Sequence, residues 1–371
     1  MCSFPPGASC PIDPQKRVYY NGRTRFFGRQ GMKKRICILY TGGTIGMVPT
    51  PKGYAPRPGY LGPVLAAMPE LTGPEAPDWE LVEMDPLLDS SNIAVDEWNA
   101  VGRAIFERYN DYDGFVVLHG TDTMAYTAGA LSFMLENLQK PVVLTGSQIP
   151  LCRLRSDGRE NLITSLIIAA QGKAAEVCLY FGGKLLRGCR AVKRSADGLR
   201  AFSSPNYPPL AIAGVNIRYD EAALCRPEPE GPPALVPFDN VPIGVLKVFP
   251  GIQFDLFEPI MTSRLRGIVL ETFGAGNIPD TRGALPPLIR KAGQNGAVLT
   301  VCSQCFEGGV LLGKYAASAA LTAAGAVSGC DMTTEAAVAK LYYLFSKGLT
   351  AAEVKGLMCR SLRGELTAED T

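Results

Sequence analysis

Three short segments of the chain place hydroxyl side chains beside glycines where β-branched runs stop. In Tyr40-Thr41-Gly42-Gly43-Thr44-Ile45-Gly46, two adjacent glycines permit a sharp turn and close backbone approach. The hydroxyl of Thr44 can then be presented beside free amides suited to an oxyanion. In Leu118-His119-Gly120-Thr121-Asp122-Thr123 an apolar run ends in two hydroxyls and a carboxylate. Thr145-Gly146-Ser147-Gln148 is a third end of the same kind. Such groups suit nucleophilic attack on an acyl carbon. Two plainer readings compete. The threonines can be helix N-caps. The Gly-rich turn can cradle a phosphate, although its spacing is not G-x-G-x-x-G, no Walker lysine follows and no acidic residue ends an evident second strand.

His119 is the one histidine of the chain, which removes several mechanisms together. A two-histidine metal site is impossible, and a Ser-His-Asp triad would have to use His119 although no G-x-S-x-G elbow is present. Alternation along the strand points His119 away from its loop neighbours, so it reads as a packed or supporting residue. A threonine hydroxyl is weakly nucleophilic at neutral pH and must lose its proton to a neighbour. A lysine with a lowered pKa and a hydrogen-bond chain through tyrosine are the candidates that remain. The 11 cysteines are odd in number and scattered, which fits reduced thiols in a cytosol better than a disulfide framework. Cys302 and Cys305 have C-x-x-C spacing, but no second pair completes a zinc site, so they read as structural thiols.

The elements that must position these segments follow from periodicity. Short β-branched runs predict strands over 35–40, 114–119, 141–145 and 176–181, with helical spacing over 96–109 and 125–138 between them. That is an α/β pattern with a mainly parallel, twisted sheet, whose ligands bind beyond the carboxyl ends of the strands. The interval 225–240 opens with Cys225-Arg226-Pro227-Glu228-Pro229-Glu230-Gly231-Pro232-Pro233 and predicts a linker. After it come predicted strands at 243–249, 267–271 and 297–302 and helices at 288–295, 334–346 and 351–359. Asp331-Met332-Thr333-Thr334-Glu335 has the residues of a capped helix start. The expectation is a larger N-terminal α/β domain over 32–224 and a smaller α/β C-terminal domain over 241–371. Residues 1–31 read as a leader outside the fold, disordered or not native, and Met32 as an alternative start; no secretory signal is visible there.

Bulk properties narrow the partners. Lys+Arg 37 against Asp+Glu 35 leaves a net charge of +2, with no basic stripe for a nucleic acid. The longest apolar runs, such as 162–170, fall far short of the roughly 20 residues that cross a bilayer. A cytoplasmic protein acting on a small molecule is expected, with no nucleic-acid or membrane partner.

The segments Tyr40-Thr-Gly-Gly-Thr-Ile-Gly-Met47 and His119-Gly-Thr-Asp-Thr-Met-Ala-Tyr126 resemble the two signatures of the asparaginase–glutaminase family. From Met32 to Thr371 the chain is similar to its type I, cytoplasmic branch. Supporting segments are Asp89-Ser90-Ser91-Asn92, Leu131–Leu138, Ser156–Leu162, Ser204-Pro205-Asn206 and Leu362–Leu366. The resemblance implies that Thr44 is the nucleophile and Tyr54 the tyrosine of a lid that excludes water. It implies that Asp89 and Ser90 hold the substrate's α-amino and α-carboxylate ends. Thr121, Asp122 and Lys193, the last in Arg190-Ala-Val-Lys-Arg194, would form a second Thr–Lys–Asp set. By the same resemblance, Ser147 would mark where main-chain atoms bind the scissile amide. Asn277, in Phe273-Gly-Ala-Gly-Asn277, would reach a neighbouring subunit's site, which implies a homodimer or homotetramer. Glu271 and Val192 depart from the arginine and threonine that some bacterial members carry there, so the resemblance does not extend to an allosteric asparagine site.

The implied activity is hydrolysis of the side-chain amide of free L-asparagine to aspartate and ammonia through an acyl-enzyme, with no metal and no organic cofactor. The alternatives are glutaminase or amidotransferase-type ammonia release, or a non-catalytic amino-acid- or nucleotide-binding protein of the same fold.

Overall fold

The structure, a computed structural model, describes residues 19–21, 33–224, 231–279, 283–313 and 316–367. Its largest unit is a nine-stranded sheet. Five neighbours are parallel, in the spatial order Asp78–Leu88, Arg35–Gly42, Gly114–Leu118, Val142–Thr145 and Val177–Phe181. The second strand in sequence thus lies on one side of the first and the third on the other. This reversal opens a crevice at the carboxyl end of Arg35–Gly42, where a parallel sheet receives its ligand. Antiparallel strands extend the sheet beyond Val177–Phe181, beginning with Lys184–Arg187.

Four of the parallel strands, Arg35–Gly42, Gly114–Leu118, Val142–Thr145 and Val177–Phe181, are buried and largely apolar on both sides because helices cover both faces. Alternate residues divide between two cores. Cys37 and Leu39, with Phe115 and Val117, face the helices Val95–Phe106 and Met124–Met134. Ile36, Ile38 and Tyr40, with Val116 and Leu118, face Leu61–Ala66 and Gly158–Gln171. Met124–Met134 is buried nearly all round, as a helix with apolar residues on every side must be. Its outer side packs on the helix Thr334–Ser346, so the first core runs on into the C-terminal segment.

A second, four-stranded parallel sheet comprises Ile243–Lys247, Gly267–Thr272, Val298–Ser303 and Val327–Ser328. Thr334–Ser346 covers one face of it and Leu285–Gln294 the other. Thr333 caps Thr334–Ser346 by accepting from Ala336 N at 3.1 Å, as its residues predict.

Several local expectations shift. The helix expected over 125–138 stops at Met134, because Leu135–Glu136 pairs antiparallel with Ala234–Leu235. That pairing and the two hydrogen bonds between Asn99 and the main chain of Phe238 fasten the second half of the expected linker to the large unit. Residues 225–230 of the linker lie outside the described residues, as does most of the expected leader. Its described part, Tyr19–Asn21, pairs antiparallel with Asp78–Leu88 at the edge of the large sheet, although no element is expected there from sequence. Among the described residues no helix is long and apolar enough to cross a membrane.

Candidate active site

Three strand ends and the loop after Asp78–Leu88 converge at the crevice. The contacts require glycine. Gly43 has φ 84° and lies against the next strand end, where an added Cβ would stand 2.3 Å from the Gly120 nitrogen. A Cβ on Gly120 would stand 2.5 Å from Ser90 Oγ. No side chain fits at either position. Threonines tie the same layer across strands: Thr41 Oγ1 donates to Leu118 O at 3.0 Å and Thr145 Oγ1 to Tyr180 O at 2.8 Å.

Thr44 begins a short 3-10 turn, Thr44–Gly46, whose N-cap is Gly43 and carries no side-chain cap. Its hydroxyl is half-buried and makes no hydrogen bond among the described residues, so it is not engaged in capping. The turn leads into the hairpin Met47–Thr50/Gly53–Pro56, which puts Tyr54 at 45% exposure on a projecting ribbon.

Thr121 is buried, and Lys193 Nζ donates to its Oγ1 at 2.9 Å and to Asp122 Oδ1 at 2.6 Å. The Thr–Lys–Asp set therefore assembles, although Lys193 lies on a different strand, Val192–Lys193. The competing N-cap reading fails for Thr123 as well. Its hydroxyl donates instead to Ser90 O at 2.7 Å and holds the neighbouring loop. Asp89 does cap, accepting at Oδ1 from Ser91 N and Ser91 Oγ at 3.0 Å each, and it stays exposed beside the buried Ser90.

Ser147 is fully buried, and its Oγ has no hydrogen-bond partner among the described residues. Asp157 and Asn161 hold this strand end, with Asp157 accepting from Gln148 N and Ile149 N and Asn161 donating to Gly146 O at 3.0 Å. Asn277 is placed elsewhere, in a tight turn at the carboxyl end of Gly267–Thr272 closed by Asn277 N donating to Phe273 O at 2.8 Å. No hydrogen bond joins it to the Thr44 or Thr121 loops within the described residues.

His119 is fully buried and serves packing. Its Nδ1 faces Gly120 O at 2.7 Å, and its Nε2 faces Thr127 Oγ1 at 2.9 Å, which accepts from Trp98 Nε1 at 3.1 Å. One polarity satisfies the chain: Trp98 donates to Thr127, Thr127 to Nε2, and Nδ1–H to the Gly120 carbonyl. Burial lowers its pKa to about 4, so the ring is neutral and braces the Gly120-Thr121 backbone from beneath.

Two supporting residues escaped the sequence reading. Gln148 accepts from Thr121 Oγ1 at 3.1 Å. Arg190, buried three residues before Lys193, donates to Asp331 Oδ2 at 2.8 Å and to Gly364 O at 2.7 Å, which fastens the Lys193 segment to the C-terminal stretch. Gln148 stood in a segment already marked by its strand end, whereas nothing near Arg190 in sequence signals its partners.

Two family profiles match the chain, "Asparaginase, N-terminal" over residues 35–224 and "Glutaminase/Asparaginase C-terminal domain" over 242–358. The L-asparaginase 1 of Escherichia coli (strain K12) is 46% identical over 340 residues, which cover 91% of this chain and 99% of that one. The crystal structure of L-asparaginase I from Vibrio cholerae O1 biovar eltor str. N16961 has a TM-score of 0.84 at 46% identity, covering 91% of this chain and 100% of that one. The thermostable L-asparaginase from Thermococcus kodakarensis has a TM-score of 0.78 at 32% identity, covering 90% and 100%.

Proposed function

The chain belongs to the asparaginase family, and from that premise we propose how its residues divide the reaction between them. The activity is that of an L-asparaginase, which hydrolyses the side-chain amide of asparagine to give aspartate and ammonia.

In the proposed division, the Thr44 oxygen attacks the side-chain amide carbon while main-chain amides of the strand-end loops hold the oxyanion. The carbon–nitrogen bond breaks, and the proton lost by Thr44 leaves with the nitrogen as ammonia. Water then attacks the aspartyl ester, aspartate departs, and Thr44 regains its proton. Thr121, Lys193 and Asp122 handle the proton, with Asp122 fixing the position of the lysine. Asp89 and Ser90 receive the α-amino and α-carboxylate groups, the main chain at Ser147 faces the scissile amide, and Tyr54 closes over the substrate on its hairpin. The observation that carries this reading is the contact of Lys193 with both Thr121 and Asp122, at 2.9 and 2.6 Å.

Asn277 has no place in this chain's own crevice, which favours a homodimer or homotetramer in which it completes a neighbour's site. The proposed setting is the cytoplasm, and the proposed substrate is free L-asparagine.

The division of roles is tested by trapping. Rapid acid quench of the wild-type protein with asparagine, followed by peptide mass analysis, is expected to find a β-aspartyl ester on Thr44. Thr44→Ala is expected to lose nearly all turnover while still binding aspartate. An ester on Thr121 reverses the two roles, and full turnover in Thr44→Ala defeats the mechanism.

A further inference from the structure

The Thr121 hydroxyl sits among partners that permit one polarity. Lys193 Nζ donates to its oxygen at 2.9 Å, and an ammonium only donates. On the other side stands the Gln148 amide, whose Nε2 faces the carbonyl oxygens of Ala196 at 3.2 Å and Gly198 at 3.3 Å. Carbonyls only accept, so the NH2 end must meet both of them, and this turns Oε1 toward Thr121. The single Thr121 hydrogen then goes to Gln148 at 3.1 Å. With one lone pair facing Lys193, the Thr121 oxygen keeps its second free to accept.

Gln148 is itself anchored and in turn anchors Lys193. Its main-chain nitrogen donates to both carboxylate oxygens of Asp157, at 3.1 and 3.0 Å. Its side chain grips the turn directly after Lys193, where Asp197 N and Gly198 N both donate to Ser195 Oγ. Thus one amide fixes the polarity of Thr121 and the loop behind its lysine.

The geometry points to Gln148 as a positioning residue for hydrolysis: it holds the Thr121 oxygen as a hydrogen-bond acceptor that orients the O–H of the attacking group, whose proton passes on to the departing group. The inference rests on Thr121, Lys193 and Asp122 being the proton-handling set. Gln148 acts through Thr121 and is half-buried at the rim of its loop.

The test uses the full chain, with Gln148→Met, Gln148→Glu and Thr121→Ala compared for ammonia release from asparagine and for aspartate binding by calorimetry. Gln148→Met is expected to lower kcat on the order of 10- to 100-fold, as misaligned reacting groups do, with KM little changed and aspartate still bound. Gln148→Glu keeps an acceptor for Thr121 and gives up the two donors, so it is expected to recover part of that loss. Parental kcat in Gln148→Met, a loss confined to KM, or a Gln148→Glu no faster than Gln148→Met overturns the inference. Thr121→Ala separates the two levels. If it turns over like the parent, the proton-handling set itself is wrong; if it is slow while Gln148→Met is not, only the role of Gln148 falls.

Discussion

Two lysine–carboxylate pairs in this chain have the same length and opposite surroundings. Lys193 Nζ lies 2.6 Å from Asp122 Oδ1, with the side chains 19% and 65% exposed. Lys340 Nζ lies 2.6 Å from Glu365 Oε1, with both side chains at 0%. The buried ammonium is saturated, donating also to Met358 O at 3.1 Å and Arg360 O at 2.5 Å. Glu365 in turn accepts from Leu362 N at 3.0 Å and Arg363 N at 2.7 Å. Burial pushes the Lys340 pKa down, and the Glu365 charge opposes that shift. Distance therefore does not distinguish the pairs. A pair that exchanges protons with substrate must stay open to it, whereas a pair with every valence filled and no access to solvent can only hold structure. Glu365 pins the C-terminal stretch to Thr334–Ser346, and the adjacent Gly364 O receives Arg190. The Lys340–Glu365 pair thus braces the segment that carries Lys193.

The contrast breaks first, and most visibly, at Lys193. Lys193→Ala is expected to slow asparagine turnover by roughly 10²–10⁴-fold, the usual cost of losing acid–base help. Because a pair whose carboxylate is open to solvent contributes little to folding, its urea-unfolding free energy should change by no more than about 1 kcal/mol. Parental turnover, or a large loss of stability, would erase the distinction between the two pairs.

The reverse behaviour is expected of the buried pair. Glu365→Gln removes the carboxylate charge but keeps the shape, leaving the Lys340 ammonium enclosed without a counter-charge. Breaking a buried pair on one side costs about 3–5 kcal/mol. Chemical denaturation should show that loss, while turnover per folded molecule stays close to the parent's. A variant as stable as the parent would mean that water reaches Lys340.

Sequence reading was uneven for the same physical reason that divides the pairs. Strands such as Gly114–Leu118 and Val177–Phe181 were legible because burial on both faces makes them continuous apolar runs. Asp78–Leu88 was not. Its interior acids, Glu80 and Glu83, break the apolar pattern, and their partners are remote: Tyr112 Oη lies 2.6 Å from Glu80, and Gly59 N lies 2.8 Å from Glu83. The strand ends at Thr44, Thr121 and Ser147 announced themselves through glycine and hydroxyl residues. Lys193 has no such local signal. Its partners Thr121 and Asp122 precede it by 72 and 71 residues, and only the family resemblance placed it with them. Gln148 adjoins a strand end, yet its own segment signals nothing of its contacts, because Ala196 and Gly198 lie about 50 residues on in the chain.

A third buried titratable group sharpens the comparison. Lys340 faces a carboxylate at hydrogen-bond distance, whereas His119 meets only a carbonyl and a hydroxyl, so its cheapest state in the core is the neutral one. Its pKa falls from 6.5 to about 4 because burial penalises the imidazolium. Between those values the unfolded chain binds a proton that the folded chain does not. The contribution to stability is therefore fully present above pH 6.5 and is lost as pH falls toward 4, at up to about 1.4 kcal/mol per pH unit. Glu335 acts in the opposite direction. Burial raises its pKa from 4.5 to about 7, so over that range the folded state binds the extra proton and gains stability as pH falls. The raw pH dependence mixes the two, and a variant difference separates them. In His119→Gln the amide can still donate toward Gly120 O but cannot titrate. Urea-unfolding free energies of parent and variant, measured at intervals from pH 8 to pH 4, are expected to differ by a constant above pH 6.5. Below it the parent should lose up to about 3 kcal/mol relative to the variant, the value of the full shift. A difference that stays flat across the range would mean that His119 keeps its proton equilibrium on folding, and that a buried group needs no counter-charge here to remain ionised.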